Sequence, residues 1–262
     1  MTFATMLRDR ESLVGTWVAL NDPAVAEISA SLEFDAVVID GEHSVNSIET
    51  ITEMARAVDA ADAGGDSDPG TIVRLSTNDA TEIKRVLDAG VDGVMAPMID
   101  DPQDAQAFVE ATRYPHEGVR GVGYGRATEY GEAFPEYVDR ANDEIVTIAQ
   151  IETEAGLENV EEIAAVDGLD GLFVGPADLS AALGIFGETE SDEFLAAVDR
   201  TLEAGHAVDK PVSILALDGD EIERWVDHGF DIVFAGVDID YVKMGGRRAK
   251  AAFEDAAGTR DE

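Results

Sequence analysis

The sequence predicts a (β/α)8 barrel (TIM barrel), and three observations support this prediction. Eight short apolar runs alternate with stretches of helical apolar spacing, a pattern typical of a parallel sheet covered by helices. The chain has 262 residues, close to the roughly 250 residues of one such barrel. A short motif also recurs before every second strand. No linker divides the chain, so we expect residues 1–262 to form a single barrel domain.

The predicted strands are short apolar runs bounded by turn residues. They are Val14–Leu20, Ala36–Asp40, Thr71–Leu75, Gly93–Pro97, Ile145–Ile151, Gly171–Val174, Val212–Ala216 and Ile232–Ala235. The predicted helices lie at about 23–32, 46–62, 79–89, 101–113, 154–165, 190–208, 219–228 and 239–256. Residues 60–70 are interpreted as an ordinary loop. Residues 114–142 form a longer glycine-rich stretch, which we expect to serve function or a subunit contact.

The recurring motif consists of Gly or Glu, a hydrophobic residue and Asp, followed by an apolar strand. It precedes strands two, four, six and eight as Glu33-Phe34-Asp35, Gly90-Val91-Asp92, Gly168-Leu169-Asp170 and Gly229-Phe230-Asp231. A doubly wound sheet is not expected to carry this repeat, and its GxGxxG fingerprint is missing after the first strand. The barrel is therefore the favoured architecture.

The composition excludes several classes of partner. Acidic residues outnumber basic ones by 56 to 18, which gives a formal net charge of −38. Nucleic-acid backbones and anionic membranes both require cationic patches, so we expect neither as a partner. The acid excess is spread along the chain, as expected for a halophilic protein in a salt-rich cytoplasm. No apolar run approaches a membrane span of about 20 residues, and no signal-peptide core is visible. We therefore expect a cytoplasmic protein.

The cysteine and lysine content narrows the possible reaction mechanisms. The chain has no cysteine, which excludes a thiolate nucleophile and a cysteine-ligated metal. A Schiff-base aldolase needs a lysine inside the barrel mouth, and no lysine ends a predicted strand. The lysines are Lys84, Lys210, Lys243 and Lys250. An imine mechanism is therefore disfavoured.

Barrels of this kind carry their sites at the carboxyl ends of the strands. That rule selects polar residues at the ends of strands two, three, five and six. They are Asp40, Glu42, His43, Arg74, Gln150, Glu152 and Asp178. The turn Gly175–Asp178 precedes a short helix, so its backbone amides could hold an anion.

The chemistry of these residues fits a metal-assisted reaction. Glu152 and Asp178 offer hard oxygen ligands, which suit Mg²⁺, Mn²⁺ or Co²⁺. A bidentate substrate such as a 2-oxo acid could fill open coordination positions, and the dication could stabilise an enolate. His43 could move a proton at neutral pH. Arg74 could bind a carboxylate or a developing oxyanion.

Structural interpretations stand beside these functional ones. Asp40 and Glu42 could cap loops, and a lone His43 could be structural. Trp17 lies in or near strand one and could either pack in the core or form a wall of the substrate pocket.

At these residues the sequence resembles the HpcH/HpaI family of class II pyruvate aldolases, from about Gly15 to Ala252. The segments that carry the resemblance are Gly15-Thr16-Trp17, Ile39-Asp40-Gly41-Glu42-His43, Val73-Arg74, Ala111-Thr112-Arg113-Tyr114-Pro115, Gly118-Val119-Arg120-Gly121-Val122-Gly123, Gln150-Ile151-Glu152-Thr153 and Val174-Gly175-Pro176-Ala177-Asp178-Leu179-Ser180.

The resemblance implies a role for each matching residue. His43 matches the general base, and Arg74 matches the arginine that stabilises the pyruvate enolate. Glu152 and Asp178 match the ligands of a divalent metal. Polar and backbone contacts to the substrate are implied for Gln150, Ala177 and Asp178.

The sequence leaves open which acid raises the basicity of His43. Asp88 matches the family's supporting acid, but it lies about 14 Å along the third predicted helix, at 1.5 Å per residue. If that helix starts at the rim, Asp88 should point away from it. Asp40 is a competing partner, and a neighbouring subunit could supply either one.

The resemblance also implies an assembly and an activity. The barrel would exchange its last helix with a neighbour, usually within a homohexamer, although Met244-Gly245-Gly246 could break that helix. We expect a metal-dependent aldolase that reversibly cleaves a 4-hydroxy-2-oxo acid into pyruvate and an aldehyde. One alternative is a malyl- or citramalyl-CoA type lyase, for which the chain has few spare cations. The other is a non-catalytic relic barrel, against which the intact residues argue.

Overall fold

A computed structural model describes residues 2–62 and 69–258. Eight parallel strands close into a barrel in sequence order, with the last strand pairing with the first. The strands are β1 Leu13–Val18, β2 Ala36–Asp40, β3 Gly70–Arg74, β4 Gly93–Ala96, β5 Val146–Ile151, β6 Gly171–Val174, β7 Val212–Ala216 and β8 Ile232–Val237. The predicted (β/α)8 barrel is confirmed.

The helices surround the barrel. They are α1 Phe3–Arg8, α2 Pro23–Ala30, α3 Ile48–Asp62, α4 Ala80–Asp88, α5 Pro102–Thr112, α6 Phe134–Glu144, α7 Glu154–Glu158, α8 Val160–Ala164, α9 Pro176–Ala182, α10 Asp192–His206, α11 Gly219–His228 and α12 Asp238–Gly258. A 3-10 segment, Arg126–Gly131, precedes α6. No helix in the described part of the chain is long and apolar enough to cross a membrane.

The recurring aspartate has a structural purpose. Each copy accepts a hydrogen bond from a backbone N–H near the start of the preceding strand, and so ties neighbouring βα units together at the amino-terminal pole. The donors and acceptors are Val14 to Asp35 (2.8 Å), Thr71 to Asp92 (2.8 Å), Thr147 to Asp170 (2.8 Å) and Val212 to Asp231 (2.9 Å).

An aromatic plug fills the barrel interior. Trp17 lies 5.5 Å from Phe173 and 5.7 Å from Phe234 between ring centroids, and all three side chains are buried. A second apolar layer lies between the barrel and its helices. Because the plug fills the interior, a small molecule can reach the strands only at their ends.

Three predicted features differ from the structure. The stretch 114–142 includes the start of helix α6, which runs to Glu144 and whose buried face includes Tyr137 and Ala141. The predicted helix at 154–165 is divided at Asn159 into α7 and α8. Helix α1 was not predicted from its short sequence. Residues 63–68 of the predicted loop at 60–70 lie outside the described residues, whereas 60–62 belong to α3.

Helix α12 continues through Gly245 and Gly246, so the break considered at this position is wrong. Glycine in a helix interior costs about 1 kcal/mol relative to alanine, and the good helix formers around the pair outweigh that penalty. The helix is anchored by Asp238, which accepts hydrogen bonds from the backbone of Ala19 (3.1 Å) and Leu20 (2.9 Å). Residues 242–258 are all exposed.

Candidate active site

A buried ion pair joins the carboxyl ends of β2 and β3. Asp40 and Arg74 are register partners on these two strands. Arg74 donates to both carboxylate oxygens, from Nε at 3.0 Å and from Nη2 at 2.8 Å. This two-point contact fixes the plane of the guanidinium group, so Arg74 presents a defined edge to the barrel mouth.

Asp40 also shapes the loop that follows β2. Its Oδ1 accepts from the backbone N–H groups of Glu42 (2.9 Å) and His43 (3.2 Å). Gly41 donates its N–H to the carbonyl of Arg74 at 2.8 Å, and a Cβ on Gly41 would lie 2.6 Å from that oxygen. Only glycine allows this close approach, which explains the Asp-Gly-Glu-His order.

His43 and Glu42 stand side by side at the rim. The His43 side chain is 65% exposed, and its Nε2 lies 3.9 Å from Glu42 Oε1. Glu42 Oε2 lies 3.1 Å from Arg74 Nη1. Burial raises the pKa of Glu42, and the charges of Asp40 and Asp178 raise it further, whereas Arg74 and His43 act in the opposite direction.

Glu152 lies just beyond the end of β5 and is only 3% exposed. Its Oε1 accepts from the backbone N–H of Met98 at 2.8 Å, and its Oε2 accepts from the Gln150 amide. Burial raises the pKa of Glu152 to about 7, with smaller contributions from the nearby charges of Glu42 and Asp178. These contributions place the three carboxylates within mutual electrostatic reach.

Asp178 lies in the first turn of α9, directly after β6. Gly175 precedes the helix, and a Cβ there would lie 2.9 Å from Glu152 Oε2 and 3.1 Å from Gln150 Nε2. The absence of a side chain at Gly175 therefore lets the start of α9 approach the end of β5.

A cavity of about 180 Å³ opens between these strand ends. Trp17 forms part of its floor, with its ring 4.9 Å from the guanidinium carbon of Arg74. The structure thus brings six of the predicted site residues to one cavity, namely Trp17, Asp40, Arg74, Gln150, Ala177 and Asp178. Glu152 lies beside Gln150, and His43 lies at the rim beside Glu42.

Asp88 is not brought to His43 within one chain. It ends α4, which starts after the carboxyl end of β3 and runs back toward the amino-terminal pole. There Asp88 accepts from the buried side chain of Arg120 at 3.0 Å. Asp40, the competing candidate, contacts the backbone N–H of His43 and the side chain of Arg74.

The donor set fits a hard dication. Glu152 and Asp178 offer two carboxylates, and a dication held by two protein ligands would keep coordination positions for a substrate. No larger group of histidine or acidic side chains suited to a metal occurs among residues 2–62 and 69–258. Two buried oxygens, Gln150 Oε1 and Glu42 Oε2, make no hydrogen bond, and Glu42 Oε2 lies 3.1 Å from Arg74 Nη1 as an ion pair. Gln150 Oε1, beside the carboxylate of Glu152, is suited to a cation or its water.

Sequence reasoning missed two contributions. The amide of Met98 holds Glu152, but a backbone donor leaves no signal in residue type. Glu42 was placed at the rim or in a loop cap but was given no chemical role, although its position between Asp40 and His43 was the available signal.

The fold and the site together define a class of protein. A barrel rim that gathers an arginine, an imidazole and several carboxylates around a small cavity is an arrangement typical of enzyme active sites. Comparisons with known proteins narrow this class.

The profile of the family described as HpcH/HpaI aldolase/citrate lyase matches residues 13–243. A hydroxypyruvate/pyruvate aldolase of Deinococcus radiodurans is 38% identical over 256 residues, covering 97% of this chain and 90% of that protein. A 4-hydroxy-2-oxovalerate aldolase of Novosphingobium aromaticivorans is 39% identical over 237 residues, covering 90% and 88%. A crystal structure of a family protein from Burkholderia cenocepacia superposes with a TM-score of 0.91 at 33% identity, covering 96% and 98%.

This chain belongs to the HpcH/HpaI aldolase/citrate lyase family. Its relatives make it a carbon–carbon lyase of the aldolase type. The family resemblance seen in the sequence is thereby confirmed.

Proposed function

We propose that this protein is a dication-dependent aldolase that reversibly cleaves a 4-hydroxy-2-oxo acid into pyruvate and an aldehyde. The observation that carries the proposal is the shared cavity lined by Arg74, Gln150 and Asp178, with Glu152 hydrogen-bonded to Gln150 beside it. This arrangement sets an anion-binding guanidinium against a group of carboxylates, as a substrate with a carboxylate and a neighbouring oxo group requires.

Glu152 and Asp178 would hold Mg²⁺, Mn²⁺ or Co²⁺, which when bound supplies positive charge that polarises the 2-oxo group. The backbone amides of Ala177 and Asp178 would receive the substrate carboxylate, and Gln150 would offer its buried amide oxygen as a polar contact.

The proton transfers fall to His43. It removes the proton of the C4 hydroxyl group, the C3–C4 bond breaks, and C4 leaves as the aldehyde carbonyl. The bonding electrons pass to the pyruvate enolate, whose oxygen faces the Arg74 guanidinium. Protonation at C3 then gives pyruvate. The His43 side chain is 65% exposed at the rim, which supports proton transfer from the solvent side of the cavity.

A panel of 4-hydroxy-2-oxo acids with different aldehyde halves tests the proposal. We expect pyruvate release in molar KCl that EDTA abolishes and added Mg²⁺ or Mn²⁺ restores. Borohydride added with pyruvate should leave no covalent adduct, because no lysine forms an imine. A reduced lysine adduct would overturn the mechanism, and saturable cleavage of a CoA thioester would favour the CoA lyase. A wild-type protein inert in every assay would indicate a relic barrel.

We further propose that α12 is exchanged with a neighbouring subunit within a homohexamer. Its exposed residues include Val242, Met244 and Phe253, and the barrel face between α11 and α2 exposes Val226 and Ile28. Burying these apolar side chains against another copy would remove them from water. Sedimentation equilibrium should give six times the chain mass, and Phe253→Asp should reduce it. A monomeric wild-type protein would contradict the exchange.

We also place the protein in the cytoplasm of a salt-adapted cell. Supporting this is the acidic composition, with 56 acidic against 18 basic residues.

A further inference from the structure

One acid at the rim has no part in the reaction proposed above. We propose that Glu42 is a positioning residue that holds His43 and Arg74 in one arrangement. Its carboxylate occupies the open edge of the Arg74 guanidinium until the oxyanion of the substrate replaces it. This inference rests on the proposed aldolase function.

The two carboxylate oxygens of Glu42 face different partners. Oε1 lies 3.9 Å from His43 Nε2, and Oε2 lies 3.1 Å from Arg74 Nη1. Oε2 is buried but lacks the alignment of a hydrogen bond to any donor. A single carboxylate therefore links the residue assigned to proton transfer with the residue assigned to anion binding.

The backbone holds Glu42 in this place. Asp40 accepts from the N–H groups of both Glu42 and His43, and Gly41 is bonded to the carbonyl of Arg74. The Glu42 side chain is 16% exposed, so few rotamers are open to it. The contacts of Glu42 thus belong to an ordered loop.

The other acids considered for His43 are committed elsewhere. Both oxygens of Asp40 accept from Arg74, and Asp88 accepts from Arg120 at the far end of α4. In the described part of the chain, Glu42 is the acid whose carboxylate lies within 4.0 Å of the imidazole of His43.

The position of Glu42 has opposite consequences for binding and turnover. Arg74 carries one positive charge and faces two carboxylates, so an incoming anion must compete with Glu42 for the Nη1 edge. Neutralising Glu42 removes that competition and should strengthen anion binding. The same change removes the carboxylate that faces His43, whereas Asp40 still holds Arg74. A misplaced proton-transfer group slows the chemical step.

The test uses the full-length Glu42→Gln protein in molar KCl with saturating Mg²⁺. We expect pyruvate to bind about threefold more tightly by calorimetry, because a like charge is removed. We expect kcat for aldol cleavage to fall about tenfold or more, because orientation is lost. Glu42→Asp, which keeps the charge, should recover wild-type pyruvate binding. Glu49→Gln, a neutralisation on the exposed side of α3, is the matched control and should change neither quantity.

The outcomes separate this inference from the proposed function. Unchanged kcat in Glu42→Gln, or weaker pyruvate binding together with lower kcat, would overturn the positioning role. A wild-type protein that neither binds pyruvate nor exchanges its methyl protons would overturn the aldolase function, and this inference with it. Tighter pyruvate binding with slower turnover supports Glu42 specifically, since general damage to the fold would weaken both.

Discussion

Arg74 is the most constrained side chain of the site. Asp40 accepts hydrogen bonds from Nε and Nη2 of Arg74, and Glu42 lies beside Nη1. The centre of the Trp17 ring lies 4.9 Å from the guanidinium carbon. Deleting the arginine would leave Asp40 as an unpaired buried charge, which typically costs about 3–5 kcal/mol. A charge-preserving substitution is therefore the informative one.

We expect Arg74→Lys to retain the fold but to slow exchange of the pyruvate methyl protons with solvent about 10²-fold, as losses of one oxyanion donor typically do. Lysine keeps the positive charge facing Asp40 but lacks the planar fork. Exchange followed by proton NMR in deuterated buffer measures this. Arg85→Lys, at an exposed site on α4, is the control. Exchange at the wild-type rate in Arg74→Lys would remove this residue from enolate stabilisation.

Glu152 should make dication binding depend on pH. Its pKa is raised to about 7, chiefly by burial, and a protonated carboxyl group is a poor metal ligand. Below about pH 7 each bound dication must displace a proton, so the association constant should rise with pH by up to about tenfold per unit. Above that pH the dependence should flatten.

Calorimetric titration of Mg²⁺ or Mn²⁺ between pH 6 and 8.5 measures this dependence. The Glu152→Gln protein should bind the dication weakly and lose this pH dependence. Glu158→Gln, which removes an exposed charge on α7, should bind it as the wild type does. A pH-independent wild-type affinity would contradict the combination of a raised pKa and metal ligation at Glu152, and wild-type affinity in Glu152→Gln would remove it as a ligand.

At the scale of elements, the close approach of β5 and α9 decides the geometry of the carboxylates. Gly175 makes this approach possible, because a Cβ there would lie 2.9 Å from Glu152 Oε2. The sequence predicted the turn after β6 but not this packing, since a glycine before a helix has several ordinary explanations.

We expect Gly175→Ala to weaken dication binding about tenfold or more, with a folded barrel by circular dichroism, since small displacements of oriented groups have large effects. The added methyl group must push Glu152 or the start of α9 aside. Gly219→Ala is a suitable control, because a Cβ there meets no atom within 4 Å. Equal affinities in the two variants would contradict a packing role for Gly175.

The repeated aspartates act at the same scale. Each binds the backbone of the preceding strand at the pole opposite the site, so they support the barrel without taking part in its chemistry. Their periodic placement before the even strands is visible in the sequence, whereas their hydrogen-bond partners are not.

At the scale of the whole molecule, the negative net charge determines how the stability of the fold depends on salt. A net charge of −38 on 262 residues produces self-repulsion that dilute buffer screens poorly, since the Debye length is about 10 Å at 0.1 M salt and 3 Å at 1 M.

We expect the melting temperature to rise by about 10 °C between 0.1 and 3 M KCl, equivalent to a few kcal/mol for a domain of this size. Differential scanning calorimetry measures the change, and sorbitol at equal osmolality separates screening from solvent exclusion. A melting temperature insensitive to KCl would contradict the halophilic interpretation.

The sequence by itself determined the eight strands and which residues reach the carboxyl rim, because strand periodicity and chain direction are local properties. Only the tertiary structure decided that Arg74 donates hydrogen bonds to Asp40 and that Glu42 lies between Arg74 and His43. It also decided that Asp88 lies at the amino-terminal pole of the barrel. These contacts join side chains from different elements, and their distances depend on packing that no single segment encodes.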